Sequence, residues 1–382
     1  MLFAKLVNRC SSVFPRNTHT IATASKFLPS PWKQFFQYYG WLLNETTLYP
    51  DSYRESDQNE GPRHYIDLEI WDPNRPETGT LPQAVEEFTT RMEQSIRAGD
   101  WNEMFLHAGR LAHYVGDLAQ PYHTTVNYDP LTRDGTSLHQ VLDSSLGEHL
   151  SEIKLLSPPS AEPLTPIANI TRFILDMAAQ SHSFLPVINE TLIDKGLTWS
   201  PELTRIVENR TNAAVIAVAR VWYTAIERSK FLPPDLPKIN RLSVIIENMT
   251  FNSNDLSTMR LRVVDSLGVK TYANVVLKIG DATFRAQVTN VASPVGEYVV
   301  ILGPRIYEGS FVFLAEREGY SSGTTVTTVG SATEMTNSSG RTSSTAVVTR
   351  QNPYLWIVAV ALLVLLVDFV FVLWHYKRSR GS

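Results

Sequence analysis

Apolar residues recur at helical spacing along the first part of the chain. Between residues 31 and 230 they follow one another at intervals of three and four positions, the period of an amphipathic α-helix. Ser200 followed by Pro201 is typical of a helix start. Proline has no backbone N–H group, and N–H groups in the first turn have no partner within the helix. The pattern predicts an all-α domain with long helices over residues 81–98, 101–118, 137–155, 164–182 and 201–229.

The pattern changes after a proline-rich break at residues 231–237. Proline removes an amide donor and restricts the residue before it, so the last helix must end there. From residue 239 to 329, short β-branched runs alternate with turn signals, as in an immunoglobulin-like β-sandwich. This region has no histidine, and we expect a spacer or adhesion role for it. Seven strands are predicted, over residues 242–246, 259–264, 272–279, 283–288, 297–302, 310–315 and 324–329.

The end of the chain differs in composition from both regions. Residues 330–352 are rich in Ser and Thr and have no hydrophobic period, which predicts a disordered stalk. Residues 354–374 are apolar apart from Asp368 and are long enough for a helix to cross a bilayer. We therefore expect a single C-terminal transmembrane helix in the cell membrane, followed by a basic cytoplasmic tail over residues 375–382. Everything before the span is then extracytoplasmic.

Asn-x-Ser/Thr triplets agree with this orientation and predict a glycoprotein. The first 13 residues are basic but contain no apolar run typical of an export signal, so the route of export stays open. The six triplets begin at Asn44, Asn169, Asn189, Asn209, Asn248 and Asn337.

Composition limits the chemistry that the chain can perform. A net charge of −4 gives no basic excess of the kind that coats nucleic acid, so an anionic substrate must be held locally. The single cysteine, Cys10, excludes an intramolecular disulfide framework and a cysteine-based metal site. Histidine and carboxylate side chains are left as metal ligands. No Gly-x-Ser-x-Gly elbow or phosphate-binding glycine loop offers a competing mechanism.

One predicted helix carries a pair of such ligands. His113 and Asp117 are four residues apart, so both side chains point from the same helix face. Gln120 and Pro121 then end the helix and turn the chain, and His123 can return toward that face.

The next predicted helix repeats the spacing. His139 and Asp143 are again four residues apart. A lone pair of this kind is usually a surface contact, but two pairs with a histidine between them favour a metal site. Imidazole and carboxylate groups from adjacent helices are suited to zinc.

The string His-Tyr-x-Gly-Asp-x-x-Gln-Pro-x-His over residues 113–123 resembles the motif of a known superfamily. Its members are the zinc-dependent phospholipase C enzymes and the single-strand-specific zinc nucleases. The resemblance extends over about residues 14–228 and implies a helical zinc domain over residues 14–230. It implies a first zinc ion held by Asp51, His64, His113 and Asp117. It implies a second zinc ion held by His123, His139 and Asp143.

A third zinc ion would be held by His19 and would share Asp117. In many members, this ion also binds the amino group of an N-terminal tryptophan five residues before the first histidine. Phe14 stands at that place here, with thirteen residues before it. The resemblance therefore implies two or three zinc ions and leaves the third open.

The implied activity is hydrolysis of phosphodiester bonds by metal-activated water, with Asp51 as the catalytic residue that orients or deprotonates the water. Tyr65 and Asp67 resemble nuclease residues that stack a base and bind its edge. The alternative for both is a core aromatic and a helix-start carboxylate. Asp143 also resembles the nucleases, whereas membrane anchoring favours phospholipid head groups. Phospholipid and nucleic acid both stay open as substrates.

A third interpretation is a surface adhesion or binding protein whose zinc is structural or vestigial. A structural zinc site normally closes with four ligands, so the larger ligand set argues for a zinc-dependent phosphoric diester hydrolase. The expected partners are the phosphodiester substrate and the membrane, and no protein partner is predicted.

Overall fold

The computed structural model describes residues 18–54, 56–157, 164–251, 255–288, 295–303 and 307–329, and the backbone of residues 347–348. The chain divides into two compact units, Met1–Leu236 and Pro237–Ser382. The first is helical and the second consists of β-strands, which is the order that the hydrophobic pattern predicts.

Ten α-helices are found in the described part of the first unit, with four short 3-10 helices between them. The α-helices are α1 (Thr18–Phe27), α2 (Trp32–Tyr38), α3 (Gly40–Thr46), α4 (Tyr49–Tyr53), α5 (Leu81–Ala98), α6 (Trp101–Ala119), α7 (Leu138–His149), α8 (Ile170–His182), α9 (Leu185–Asp194) and α10 (Pro201–Ser229). The 3-10 helices are Gly61–His64, Pro76–Thr78, Pro121–Thr124 and Leu150–Glu152.

The long helices begin and end where local signals place them. Ser200 caps α10 by accepting a hydrogen bond from the amide of Leu203, and Asp100 caps α6 in the same way. Gly99 ends α5 with a φ of 68°. Two predicted bounds are wrong: α8 begins at residue 170 rather than 164, because Asn169 caps it, and α7 ends at residue 149, where a 3-10 turn follows.

An aromatic cluster forms the centre of the helical core. The rings of Phe36 and Trp222 lie 4.9 Å apart between centroids, and those of Tyr39 and Phe105 lie 5.0 Å apart. The indole Nε1 of Trp222 donates to the carbonyl oxygen of Ala108 at 2.9 Å. This bond satisfies the one polar group of a fully buried side chain and fixes α10 against α6.

Helix α3 approaches α6 closely at one glycine. A Cβ atom at Gly109 would lie 2.1 Å from Oγ1 of Thr46, so no other residue fits without movement. The Thr46 hydroxyl also lies 3.1 Å from the carbonyl oxygen of Phe105. This approach brings the next residue, Thr47, beside the turn of α6 that carries His113.

The second unit consists of two sheets with an apolar core between them. The strands are β1 (Ser243–Phe251), β2 (Ser257–Val264), β3 (Asn274–Ile279), β4 (Ala282–Arg285), β5 (Gln287–Val288), β6 (Glu297–Leu302), β7 (Gly309–Glu316), β8 (Gly323–Val329) and β9 (Val347–Val348). One sheet has the order β5-β6-β2-β1-β9 and the other has the order β4-β3-β7-β8. All described pairs are antiparallel except β1 with β9.

The predicted strand over residues 283–288 is wrong as a single element. Its first half, β4, pairs with β3, whereas its second half, β5, pairs with β6 in the opposite sheet. Ala286 between them donates its amide to the carbonyl oxygen of Val275 at 3.0 Å. The chain therefore crosses from one sheet to the other within a run whose composition gives no sign of a break.

No helix within the described ranges is long and apolar enough to cross a membrane. The predicted span at residues 354–374 and the tail at residues 375–382 lie outside those ranges. The predicted stalk also lies outside them, apart from the backbone of β9. At those two positions the chain pairs with β1.

Candidate metal centre

Helix α6 and the turn that follows it form one wall of the site. His113 and Asp117 lie one turn apart and are buried, and Nε2 of His113 lies 3.3 Å from Oδ2 of Asp117. After Ala119 the backbone of Gln120 is extended, with a ψ of 114°, because Pro121 follows it. The 3-10 turn that begins at Pro121 carries His123 back toward the helix.

Two residues from earlier segments complete the first group. His64 ends a 3-10 helix, and its Nδ1 lies 2.8 Å from Oδ2 of Asp117 and 3.0 Å from Nε2 of His113. Asp51 on α4 places Oδ1 3.8 Å from Nε2 of His113. Ligand atoms of Asp51, His64 and His113 all lie within 4.8 Å of one another. Donor atoms around a tetrahedral zinc ion with bonds of about 2.0 Å are about 3.3 Å apart, and the 3.0 Å from His113 to His64 and the 3.8 Å from His113 to Asp51 lie near that spacing.

Three histidines are held in the same way by the backbone. In each, Nδ1 lies within hydrogen-bond distance of a carbonyl oxygen, which only accepts, so Nδ1 carries the proton. Nε2 of the neutral ring is then the nitrogen that carries the lone pair, as in metal-binding histidines generally. The pairs are His113 with Thr47 at 2.8 Å, His123 with His64 at 2.8 Å and His139 with Tyr128 at 2.9 Å.

The second group lies between the turn and α7. The rings of His123 and His139 are 5.3 Å apart between centroids, at an angle of 75°. Nε2 of His139 lies 3.4 Å from Oδ2 of Asp143 and is buried without a hydrogen-bond partner among the described residues. Gln120 donates from Nε2 to the other oxygen of Asp143 at 2.6 Å. One carboxylate oxygen is thus bound by the protein, and the other faces His139.

Burial and charge act against each other in these side chains. Burial alone would raise the pKa of Asp117, but the charges of His113 and His123 and the hydrogen bonds from His113 and His64 hold it well below its usual range. Burial would lower the pKa of His113, but Asp117 and Asp51 raise it. For Asp143, burial prevails and raises the pKa despite His139. Positive charge beside these carboxylates is therefore needed to offset their burial.

The remaining predicted residues are placed differently. His19 belongs to α1, but its side chain lies outside the described part of the chain. The carboxylate of Asp51 is 19% exposed, so it lies at the solvent side of the site. Tyr65 and Asp67 are only 7% and 6% exposed, and the hydroxyl of Tyr65 lies 3.3 Å from the carbonyl oxygen of Glu77. A ring this buried offers little surface for stacking a base.

Sequence reasoning missed a carboxylate behind His64. Glu60 is 1% exposed, and its Oε1 lies 3.6 Å from Nε2 of His64. The hydroxyl of Tyr114 donates to Oε1, and Nη1 of Arg63 lies 3.2 Å from Oε2. Burial would raise the pKa of Glu60, but the neighbouring His64 and the hydrogen bond from Tyr114 lower it to about 2. The spacing of four residues to His64 was the one available signal, and no helix was predicted there.

No protein-family model matches the sequence, and no curated protein matches it. Similar solved structures include the alpha-toxin of Clostridium perfringens from avian strain SWCP, with 12% identity, a TM-score of 0.41, and coverage of 80% of this chain and 89% of the toxin chain. The alpha toxin of Clostridium absonum has 12% identity, a TM-score of 0.39, and coverage of 82% of this chain and 92% of its own. Likeness at this level assigns no activity to the chain.

Proposed function

We propose that the helical unit is a zinc-dependent hydrolase of phosphodiester bonds. The observation that carries this proposal is the set of three histidines whose Nδ1 atoms are held by backbone carbonyls beside buried carboxylates. A structural zinc ion closes with four ligands, whereas the ligand set that we propose has seven side chains. When bound, zinc ions polarise phosphoryl oxygens and lower the pKa of a bound water to about 7.

We assign a role to each side chain from its position in the site. Asp51, His64, His113 and Asp117 would hold one ion, and His123, His139 and Asp143 would hold another. Asp117 contacts one residue of each group: its Oδ2 lies 2.8 Å from Nδ1 of His64, and its Oδ1 lies 3.7 Å from Nδ1 of His123, the nitrogen behind the proposed ligand atom. Asp51 is the more exposed carboxylate, and we assign it the orientation or deprotonation of the attacking water. A third ion at His19 stays part of the proposal.

Phospholipid head groups are the substrate class that we favour over nucleic acid. The burial of Tyr65 weakens the case for base stacking. Apolar side chains on the neighbouring loops are exposed: Ile70 is 48%, Val126 is 40% and Leu131 is 62% exposed. Exposed aliphatic side chains beside a phosphodiesterase site suit a lipid surface.

We also propose the predicted location, with the enzyme extracytoplasmic and anchored by residues 354–374. The β unit would then separate the enzyme from the stalk. Strands β5-β6-β2-β1 opposite β4-β3-β7-β8 are arranged as in an immunoglobulin-like sandwich, which supports that finer assignment.

The test uses the purified full chain in detergent. Its zinc content is measured by mass spectrometry, and hydrolysis is followed on bis(p-nitrophenyl) phosphate, phosphatidylcholine micelles and single-stranded DNA. The proposal expects at least one bound zinc ion and hydrolysis of the simple diester and the phospholipid. Bound zinc with no turnover of any substrate would support the binding-protein interpretation, and a zinc-free, inactive chain would remove the metal site altogether.

A further inference from the structure

His64, in the first metal group, is oriented differently from the other three histidines of the two groups. His113, His123 and His139 each have a backbone carbonyl behind Nδ1 and present Nε2. His64 is reversed: its Nδ1 lies 2.8 Å from Oδ2 of Asp117 and 3.0 Å from Nε2 of His113, so Nδ1 is the ring nitrogen that faces the other candidate ligands. The group behind its Nε2 is the carboxylate of Glu60.

The orientation of His64 determines which ring nitrogen carries the proton when a metal ion is bound. A metal ion at Nδ1 needs the lone pair there, and the remaining ring proton then lies on Nε2. That nitrogen is buried and has no hydrogen-bond partner in the described ranges. An N–H left without an acceptor in the interior is costly, so an acceptor must lie within reach.

Glu60 is the group placed to accept this proton. Its Oε1 is 3.6 Å from Nε2 of His64, and a small ring movement closes that distance to a hydrogen bond. The same oxygen accepts from the hydroxyl of Tyr114, and the other oxygen, Oε2, binds Arg63. The carboxylate is therefore fixed in place, and because each of its oxygens has two lone pairs, Oε1 can accept from His64 as well as from Tyr114.

We propose that Glu60 is a positioning residue for the metal. Its carboxylate accepts Nε2–H of His64, selects the tautomer with a free Nδ1 and strengthens His64 as a ligand. Carboxylate partners of this kind change metal affinity by about 10-fold to 100-fold when they are removed. This inference rests on the proposed function, because it assumes that the first group binds zinc.

The experiment compares Glu60→Gln with Glu87→Gln in the full chain. Both changes replace a carboxylate by an amide of the same size, and both carboxylates bind Arg63, but Glu87 does not contact His64. Zinc affinity is measured by competition with a chelator, and the visible spectrum is recorded after cobalt(II) substitution. Thermal unfolding of the zinc-free proteins reports any loss of structure.

We expect Glu60→Gln to weaken zinc binding by about 10-fold to 100-fold and to shift the cobalt bands, with Glu87→Gln matching the wild type. Equal zinc affinity and an unchanged spectrum in Glu60→Gln would overturn the inference, as would a lower melting temperature with unchanged affinity. If Glu60→Gln does not fold, Glu60→Asp gives the same test, because it withdraws the carboxylate from His64 by one methylene. A wild-type chain that binds no zinc would instead overturn the proposed function.

Discussion

Buried carboxylates serve different purposes in the two units. In the described part of the β unit, Asp265 is the one buried acid, and its oxygens accept from the amides of Leu267 and Val269 and from Asn240. These are the bonds of a tight turn. In the helical unit, Asp117 and Asp143 face histidines instead. The carboxylates of the two units are similarly buried but have different partners. Backbone amides and an asparagine hold the structural one, whereas histidines face those that can bind a cation.

The largest effect that we predict comes from removing the charge of Asp117. The same change at Asp265 serves as the comparison. Asp117→Asn keeps the size but removes the negative charge that both histidine groups face, so zinc content should fall and hydrolysis should drop by orders of magnitude. Asp265→Asn should lower the melting temperature but leave turnover unchanged. Mass spectrometry and the diester assay measure both. Normal zinc content and activity in Asp117→Asn would contradict the assignment.

Removal of zinc should destabilise one unit only. A ligand that binds the folded state at about 1,000 times its Kd contributes about 4 kcal/mol, and a chelator removes that contribution. We expect calorimetry of the full chain to show a lower melting temperature for the helical unit, with the transition of the β unit unmoved. A shift of both transitions by the same amount would mean that zinc does not act through the histidine groups alone.

Acidification should also act on the helical unit. Burial, with help from Arg110 and Arg91, lowers the pKa of His107 from 6.5 to about 4. Between these values the unfolded chain binds a proton that the folded chain does not, so the free energy of unfolding falls as the pH falls. The loss is about 3 kcal/mol when complete.

The variant His107→Phe isolates this contribution in zinc-free protein. Denaturant titrations at pH 7 and pH 4 should show a smaller loss in the variant than in the wild type. The β-strand region over residues 239–329, which has no histidine, serves as the internal reference. Equal losses in the two proteins would show that His107 is not the group responsible.

The smallest predicted effect concerns the helix contact that places Thr47. Gly109→Ala gains helix propensity but forces Thr46 to move, because the new Cβ would lie 2.1 Å from its hydroxyl oxygen. We expect a loss of about 1 to 3 kcal/mol in the free energy of unfolding. Gly147→Ala is the matched control, since nothing lies within 4 Å of its Cβ position, and it should stabilise by about 0.5 to 1 kcal/mol. Two variants that change stability in the same direction would contradict the packing argument.

Local geometry explains what could be predicted of the site. The pairs His113 with Asp117 and His139 with Asp143 follow from helix periodicity, because residues four apart on any helix share a face. Short β-branched runs separated by turn signals likewise identified a β unit, since branched side chains pack well on a pleated strand. The switch between β4 and β5 was missed, because it depends on which neighbouring strand each half meets.

The sequence by itself determined the helical and β regions, the two His-x3-Asp pairs and the turn at Pro121, since each follows from spacing along a few residues. Only the tertiary structure decided that His64 presents Nδ1, that Glu60 lies behind it and that Tyr65 is buried. These features join segments far apart in the chain, and their contacts depend on how closely whole helices pack. The glycine at position 109 shows the connection, because the absence of one side chain there lets α3 bring the carbonyl of Thr47 to His113.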